Sequence, residues 1–225
     1  MPSKEVVEQA RKEEERRRRR ESNEPNIREK LLAMRKTRRE RPAKTGRRWE
    51  ELIARIPVAV PTRGAEIGVW RGSTAVQVLK KRPLATHLMI DCWKAPEADS
   101  RYATTPGSTQ KRPQEVFDAA YDEVVESVKG FKERAPIMRM YSEVAAKEVP
   151  NHSLDYVFID AEHTYEGVRD DIRLWREKVK HGGWIGGHDY ENLPNFPGVK
   201  KAVLEAFSED DVQLGADHTW WVRLL

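Results

Sequence analysis

The sequence predicts an α/β fold, a doubly wound, seven-stranded and mostly parallel sheet that ends in an antiparallel hairpin. Three observations predict it. Apolar, β-branched segments alternate along the chain with amphipathic segments of helical period, which is the pattern of βαβ units. The first apolar segment runs into a bend that contains Gly68 and Gly72, and a helical segment follows the bend. Two short apolar segments near the C-terminus, 212–214 and 219–224, are close enough in sequence to form the hairpin.

The charge of the chain changes at residue 48. Residues 1–48 contain 18 Lys and Arg, 9 Glu and no Asp, whereas residues 49–225 carry a net charge of −5. We therefore predict a basic N-terminal arm, helical or disordered, over 1–48 and one folded domain over 49–225. We expect the arm either to bind an anionic partner such as nucleic acid, or to act as a solubilising tail or assembly segment.

Composition also bears on where the protein works. Cys92 is the one cysteine, so a disulfide within the chain is excluded and a reducing compartment is favoured. No apolar run approaches the ~20 residues of a membrane span, and no signal-peptide pattern opens the sequence. We expect a cytoplasmic protein without a membrane partner, and the sequence leaves a homo-oligomer open.

The elements of the domain follow in the order that an α/β sheet requires, after a short helix over 49–56. Predicted strands occupy 64–68, 86–91, 136–140, 154–160 and 184–190. Predicted helices occupy 75–79, 113–131, 143–149, 166–180 and 199–207. Gly182 and Gly183 are predicted to close the fourth of these helices as a C-cap. The long polar segment 94–112 is predicted to be a lid or binding loop, with Arg101 and Tyr102 as substrate contacts.

The bend after the first strand reads Glu-x-Gly-x-x-x-Gly-Ser, from Glu66 to Ser73. It is wider than the G-x-G-x-x-G loop that wraps a pyrophosphate, and the preceding carboxylate suits a ligand with a cationic or amino-acid end. Asp91 ends the second strand 23 residues beyond Gly68, where such sheets place an acid on the ribose hydroxyls. Trp93 either covers an adenine ring or packs in the core. The pattern predicts a nucleoside-binding site.

Polar residues end four of the predicted strands: Glu66, Asp91, Asp160 and the pair His188–Asp189. Ligands bind beyond the carboxyl ends of the strands in sheets of this kind. The strands that carry Asp160 and the His188–Asp189 pair are consecutive, so we expect them to be neighbours ~4.8 Å apart. Their side chains are then expected to converge on one ion or one substrate hydroxyl.

The bend resembles motif I of the class I S-adenosylmethionine-dependent methyltransferases, and two later segments sharpen the resemblance. Residues 158–168, F-I-D-A-E-H-T-Y-E-G-V, and 182–190, G-G-W-I-G-G-H-D-Y, are similar to methyltransferase domain family 24. That family is related to the macrocin and catechol O-methyltransferase types. The resemblance covers residues 64–207, and it implies a Rossmann-like fold with S-adenosylmethionine as the cofactor.

The resemblance implies a role for each residue of the cofactor site. Glu66 and Gly68 would hold the methionine end of the cofactor and Asp91 its ribose. Ser142 begins the third turn, which often touches the adenine in these enzymes. The full set expected to bind the cofactor is Glu66, Gly68, Gly72, Ser73, Asp91, Trp93, Ser142 and Asp160.

A metal site is implied as well. In metal-using relatives an acid after the fourth strand and two residues after the fifth hold Mg²⁺ beside the acceptor hydroxyl, and these positions correspond to Asp160, His188 and Asp189. The expected ion is Mg²⁺ or Mn²⁺. His188 departs from the acidic residue of those relatives, and imidazole favours Zn, Mn or Fe over Mg. The alternative is that His188 hydrogen-bonds the turn and Asp189 caps the next segment.

The predicted reaction is in-line transfer of the methyl group to a hydroxyl of a small molecule or sugar, so the enzyme must align the reactants and remove a proton. His163 is the first candidate for the general base because its ordinary pKa lies near neutrality, Glu162 is the second, and Asp160 completes the catalytic set. The alternative for His163 is a structural histidine that closes its turn. Two other functions stay open: a nucleic-acid methyltransferase that uses the basic arm, and a non-catalytic binding or assembly protein that kept the fold.

Overall fold

The computed structural model describes residues 47–97, 112–192 and 195–225. The predicted arm up to residue 46, and Arg101 and Tyr102 of the predicted lid, lie outside the described residues. Within the described ranges, no helix has both the length and the apolar character needed to cross a bilayer.

A seven-stranded sheet lies at the centre of the described part of the chain. Its strands are β1 (Thr62–Ile67), β2 (Ala85–Asp91), β3 (Ile137–Arg139), β4 (Leu154–Ile159), β5 (Val179–Gly187), β6 (Gln213–Leu214) and β7 (Trp220–Arg223). They lie in the order β3-β2-β1-β4-β5-β7-β6. Strands β1 to β5 are parallel, and β7 runs antiparallel to both β5 and β6. The predicted Rossmann-like sheet with a C-terminal antiparallel hairpin is confirmed.

Two layers of helices cover this sheet. The helices are α1 (Arg48–Ala54), α2 (Ser73–Lys81), α3 (Gln114–Val128), α4 (Ser142–Glu148), α5 (Tyr165–Arg176) and α6 (Pro197–Ala206), with short 3-10 turns at Lys129–Arg134 and Glu209–Asp211. Helices α4, α5 and α6 pack their apolar residues on one face of the sheet, and α1, α2 and α3 pack on the other. The chain order reverses at β1, whose neighbours are β2 and β4. This reversal opens the crevice in which α/β sheets of this kind bind ligands.

The structure corrects the predicted end of the fourth helix. Helix α5 ends at Arg176, and β5 begins at Val179 and runs through Gly182 and Gly183. Gly183 packs so closely on β4 that a Cβ there would lie 2.8 Å from the Asp155 carbonyl oxygen. The register between β4 and β5 shifts at this point. The glycines therefore allow an irregularity in a strand and do not cap a helix.

One buried carboxyl group lies on α5. Asp171 is 6% exposed, and its Oδ1 accepts a hydrogen bond from the Ser142 hydroxyl. The same hydroxyl oxygen accepts a hydrogen bond from Trp175 Nε1 at 2.8 Å. Burial raises the pKa of Asp171 to about 7, and the hydrogen bond from Ser142 offsets only part of this rise.

Asp171→Asn is therefore expected to remove part of the pH dependence of stability. The folded pKa of about 7 lies above the ordinary value of 3.8, so the contribution of the protonated acid is complete below pH ~4 and is lost as the pH rises to 7. Between pH 5 and pH 8 the wild type should lose roughly 2–3 kcal/mol more stability than the variant in urea unfolding. Asp122→Asn, an exposed change on α3, is the control. Equal losses in wild type and Asp171→Asn would contradict the prediction.

Candidate active site

Four side chains meet at the carboxyl ends of β4 and β5. Asp160 directly follows β4, and His188 and Asp189 directly follow β5, which is the parallel neighbour of β4. His163 lies in the turn between β4 and α5, where its ring stacks on Phe196 with 4.4 Å between the ring centroids. The predicted adjacency of the two strand ends is confirmed. We call Asp160, His163, His188 and Asp189 the edge cluster.

The four side chains of the edge cluster lie within contact distance of one another. Asp189 Oδ2 lies 2.8 Å from His163 Nε2 and 3.0 Å from His188 Nδ1. Asp160 Oδ1 lies 3.4 Å from His163 Nε2 and 3.7 Å from His188 Nδ1. Each side chain is at most 17% exposed. The oxygens of two carboxylates thus face the nitrogens of two imidazoles in a largely desolvated space.

Two residues that the sequence did not predict border this cluster. Arg48, the first residue of α1, donates from Nη1 to Asp160 Oδ2. Asp217, in the turn between β6 and β7, accepts from the backbone N and from Nε of Arg48, both at 3.4 Å. The sequence pattern placed Arg48 in the basic arm, because residues 47–48 continue a basic stretch. In the structure Arg48 is instead the first residue of helix α1. No local pattern in the sequence singles out Asp217.

Electrostatics favours the charged form of every titratable group in the cluster. Burial alone would lower the pKa of His163, but Asp160 and Asp189 outweigh burial and raise the pKa to about 9. Asp189 and Asp217 likewise overcome burial and raise the pKa of His188 to about 9. The two imidazoles hold the pKa of Asp189 well below its usual range against the effect of burial. These partners favour the protonated, hydrogen-bond-donating form of His163, and its role as the general base stays a prediction.

Glu162, the second candidate for the base, is held at the start of α5. Its Oε1 accepts a hydrogen bond from the Thr164 hydroxyl, and Thr164 in turn caps the helix by accepting from the Gly167 backbone N at 3.1 Å. Its side chain also packs on Gly167, where a Cβ would lie 2.7 Å from Glu162 Cδ. These contacts link Glu162 to the helix cap and not to the edge cluster.

The glycine bend between β1 and α2 lies directly beside the cluster. Gly68 has φ +88°, and a Cβ at this position would overlap the carbonyl oxygen of Asp160. Gly72 has φ +71° and directly precedes Ser73, the first residue of α2. The backbone N–H groups of the first turn of α2 therefore follow the bend at the same edge of the sheet. The predicted cofactor bend and the predicted metal residues are neighbours.

Asp91 fixes the shape of this bend. Its Oδ2 accepts hydrogen bonds from the backbone N of Val69 at 3.0 Å and of Trp70 at 2.8 Å. Its Oδ1 accepts from the backbone N of Trp93 at 2.9 Å. The backbone N–H of Cys92 also faces this carboxylate, so four backbone donors surround it. Its contact with a ribose remains a prediction.

Glu66 is engaged inside the protein. It is 2% exposed, and its Oε2 lies 3.2 Å from His87 Nε2. The Nδ1 of His87 lies 2.9 Å from the Tyr156 hydroxyl. Side chains alternate along β1, and Glu66 shares the face of Gly64, whose missing side chain makes room for the Tyr156 ring. The contact of Glu66 with the methionine end of the cofactor stays a prediction.

Two other residues predicted at the cofactor site also have internal partners. Trp93 is completely buried, packs edge-on against Tyr121 and donates from Nε1 to the Trp70 carbonyl at 2.7 Å. Of the two alternatives for Trp93, the structure shows the packing role. Ser142 lies at the start of α4 and is bonded to Asp171, as described above.

The edge cluster fits a divalent metal ion. Donor atoms of Asp160, His163 and Asp189 all lie within 4.8 Å of one another, which suits ligands at about 2.0–2.2 Å from one ion. His188 is not part of this group of three, but both of its ring nitrogens are buried without a hydrogen bond of acceptable geometry, and Nδ1 lies 3.0 Å from Asp189 Oδ2. Two residues of the predicted metal set, Asp160 and Asp189, thus lie in this group with His163, and the set of Asp160, His188 and Asp189 stays a prediction. Two imidazoles with two carboxylates favour Mn, Fe or Zn over Mg.

Comparison with known proteins identifies the family. A family profile described as a methyltransferase domain, Methyltransf_24, matches residues 65–190, more than half of the chain. The chain belongs to this methyltransferase family. The match covers the glycine bend, all of β2 to β5 and the whole edge cluster.

Individual relatives of this methyltransferase are distant. The uncharacterized protein R132 of Acanthamoeba polyphaga mimivirus is 36% identical over 67 residues, which is 30% of this chain and 29% of that protein. The O-methyltransferase NovP aligns with a TM-score of 0.57 at 19% identity over 79% of each chain. The calicheamicin methyltransferase CalS11 aligns with a TM-score of 0.56 at 17% identity over 99% of this chain and 94% of that one. An apo structure of CalS11 names it a TDP-rhamnose 3′-O-methyltransferase. At these identities the likeness is one of fold.

Proposed function

We propose that this methyltransferase transfers the methyl group of S-adenosylmethionine to a hydroxyl of a small molecule or sugar, with a divalent metal ion at the edge cluster. One observation carries the proposal. The glycine bend, which suits a nucleoside cofactor, lies against Asp160, and Asp160 belongs to a cluster of two carboxylates and two imidazoles. A cofactor site and an acceptor site then share one strand end.

The residues of the chain would act by binding and alignment. The bend at Gly68 and Gly72, with the carboxylate of Asp91 behind it, would hold the cofactor with its sulfonium towards the cluster. Asp160, His188 and Asp189 would hold the metal ion, beside the ring of His163. A bound divalent ion would supply a positive charge that orients the acceptor hydroxyl and favours its deprotonation.

The transfer needs little more from the protein than this alignment. The methyl group passes from the sulfonium to the acceptor oxygen, the neutral thioether leaves, and the hydroxyl proton departs. His163 and Glu162 stay as the two candidates for taking up that proton.

Two observations support a small hydroxylated acceptor. NovP is an O-methyltransferase, and CalS11 acts on a sugar, TDP-rhamnose. Residues 49–225 carry a net charge of −5, which is unfavourable for holding a nucleic-acid backbone. A nucleic-acid acceptor held by the basic residues 1–48 is the alternative, and RNA or DNA binding that weakens steeply with salt would favour it. We propose a cytoplasmic location, since the single Cys92 suits a reducing compartment.

Cofactor binding is the first test of the proposed function. The full chain should bind S-adenosylmethionine in calorimetry with a dissociation constant in the micromolar range, on the order of cofactor levels in cells. Formation of S-adenosylhomocysteine is then followed with panels of catechols and nucleotide sugars, with and without Mn²⁺. NADH, which needs a tighter glycine loop, is the control ligand. A chain that binds NADH but not S-adenosylmethionine contradicts the proposal.

A further inference from the structure

The turn between β6 and β7 carries an acid that faces the edge cluster from outside. We propose that Asp217 is a positioning residue, which orients the ring of His188 so that its Nδ1 is presented to the metal ion. The inference rests on the proposed function, because it requires the ion at the edge cluster. It assigns a role to a residue outside the matched family segment, residues 65–190.

The His188 ring lies between the cluster and Asp217. Its Nδ1 faces the cluster, 3.0 Å from Asp189 Oδ2 and 3.7 Å from Asp160 Oδ1. Its Nε2 faces the other way, 3.6 Å from Asp217 Oδ2. The side chain is 7% exposed, so water has little access to either nitrogen. One nitrogen is thus directed at the ion site and the other at a carboxylate.

This arrangement is the one that metal-binding histidines use. A ligating imidazole almost always donates its second N–H to a carboxylate or a carbonyl, which fixes the ring orientation and makes the ligating nitrogen a better donor. In the structure, neither nitrogen of His188 has a hydrogen bond of acceptable geometry. The distance of 3.6 Å from Nε2 to Asp217 Oδ2 is longer than a hydrogen bond, and the proposed role requires it to be shorter when Nδ1 binds the ion.

Asp217 is itself held firmly in place. Its Oδ2 accepts from the backbone N and Nε of Arg48. The backbone is left-handed at both Asp217, φ +55°, and His218, φ +58°, a conformation uncommon for non-glycine residues but less so for Asp and His. The turn is fastened to the exit of β5 by a hydrogen bond from the Tyr190 backbone N to the His218 carbonyl at 3.0 Å. The carboxylate is therefore preorganised beside His188.

Arg48 extends this support to a second member of the cluster. Its Nη1 donates to Asp160 Oδ2, while Asp160 Oδ1 is the oxygen that faces His163 and His188. One arginine thus connects the carboxylate behind His188 to the carboxylate that would bind the ion. The two outer residues, Arg48 and Asp217, form a frame that presents Nδ1 of His188 and Oδ1 of Asp160 to the same point.

The test measures metal binding by the full chain in calorimetry with Mn²⁺. Asp217→Ala is expected to weaken Mn²⁺ binding by about 10- to 100-fold, the usual cost of losing an outer partner of a ligating histidine. Asp217→Asn keeps the size of the side chain and one acceptor oxygen. Its Mn²⁺ affinity is therefore expected to fall less than that of Asp217→Ala, by at least about threefold. Asp170→Asn, a change in an exposed pair with Arg169, is the control and should bind as the wild type does.

A spectroscopic measurement separates positioning from a general loss of structure. The visible absorption bands of bound Co²⁺ report ligand geometry, and we expect them to shift in Asp217→Ala and not in the control. Affinity for S-adenosylmethionine should stay within about twofold in every variant. If Asp217→Ala fails to fold, Asp217→Asn decides the matter by its Mn²⁺ affinity alone.

The outcomes distinguish this inference from the proposed function. Equal Mn²⁺ affinity in the wild type and both Asp217 variants overturns the positioning role. A wild type that binds S-adenosylmethionine but no Mn²⁺ or Co²⁺ also overturns the positioning role. That result would support a methyltransferase that works without a metal ion. A wild type that does not bind S-adenosylmethionine contradicts the proposed function, whatever the metal titration gives.

Discussion

Gly68→Ala is expected to destabilise the protein by about 3 kcal/mol and to abolish measurable binding of S-adenosylmethionine. The added Cβ would overlap the backbone carbonyl of Asp160, and φ +88° is a conformation that alanine adopts only with strain. Because the obstacle is backbone, it cannot rotate away, and β1 and β4 must separate where the cofactor is expected to bind. Urea unfolding and calorimetry measure the two effects.

Gly130→Ala is the matched control for that experiment. A Cβ at Gly130 meets nothing within 4 Å, so this change should alter stability by less than about 0.5 kcal/mol. If Gly68→Ala were as stable as Gly130→Ala and kept its affinity for the cofactor, the close approach of the bend to β4 would not hold in solution.

Asp160→Asn is expected to lower kcat/KM for methyl transfer at least about 100-fold. The change removes a charge that faces His163, His188 and the guanidinium of Arg48, and it removes a candidate metal ligand. The assay is S-adenosylhomocysteine formation with the acceptor found by screening. Because the cofactor bend itself is unchanged, affinity for S-adenosylmethionine should fall much less than the rate.

Asp155→Asn is the control for that loss. Asp155 lies on the same strand, β4, at its opposite end, where it accepts from the Arg63 backbone N and pairs with Lys180. The variant should retain activity within about twofold. An Asp160→Asn enzyme with more than a tenth of wild-type kcat/KM would contradict the assignment of the edge cluster as the acceptor site.

Much of the fold could be predicted because each element has a local signal. The strands are apolar runs bounded by turn residues, and the alternation of strand and helix leaves few sheet orders. The boundary of β5 was missed because a glycine pair after a helical pattern also signals a C-cap. Tertiary contacts set the start of β5. The strand pairs with β4 from Val179, and the Gly182 backbone N donates to the Leu224 carbonyl at 2.6 Å.

The candidate site was predictable at the strand ends and in the turn that carries His163, and not beyond them. Asp160, His188 and Asp189 follow parallel strands, so the topology brings them together. Arg48 and Asp217 are 169 residues apart in the sequence, and no local pattern relates them. The partner of Glu66 inside the protein could not be predicted either, because His87 lies on the neighbouring strand β2 and no local pattern relates the two residues.

The contact between Arg48 and Asp217 has a consequence for the order of events during synthesis. The two residues that frame the edge cluster come from opposite ends of the described domain, and closing so long a loop is entropically costly until the sheet between them is built. A nascent chain that has not yet reached residue 217 lacks the outer partner of His188, however well its cofactor bend is formed. The contacts around the edge cluster are therefore complete only once the β6–β7 turn has docked against α1.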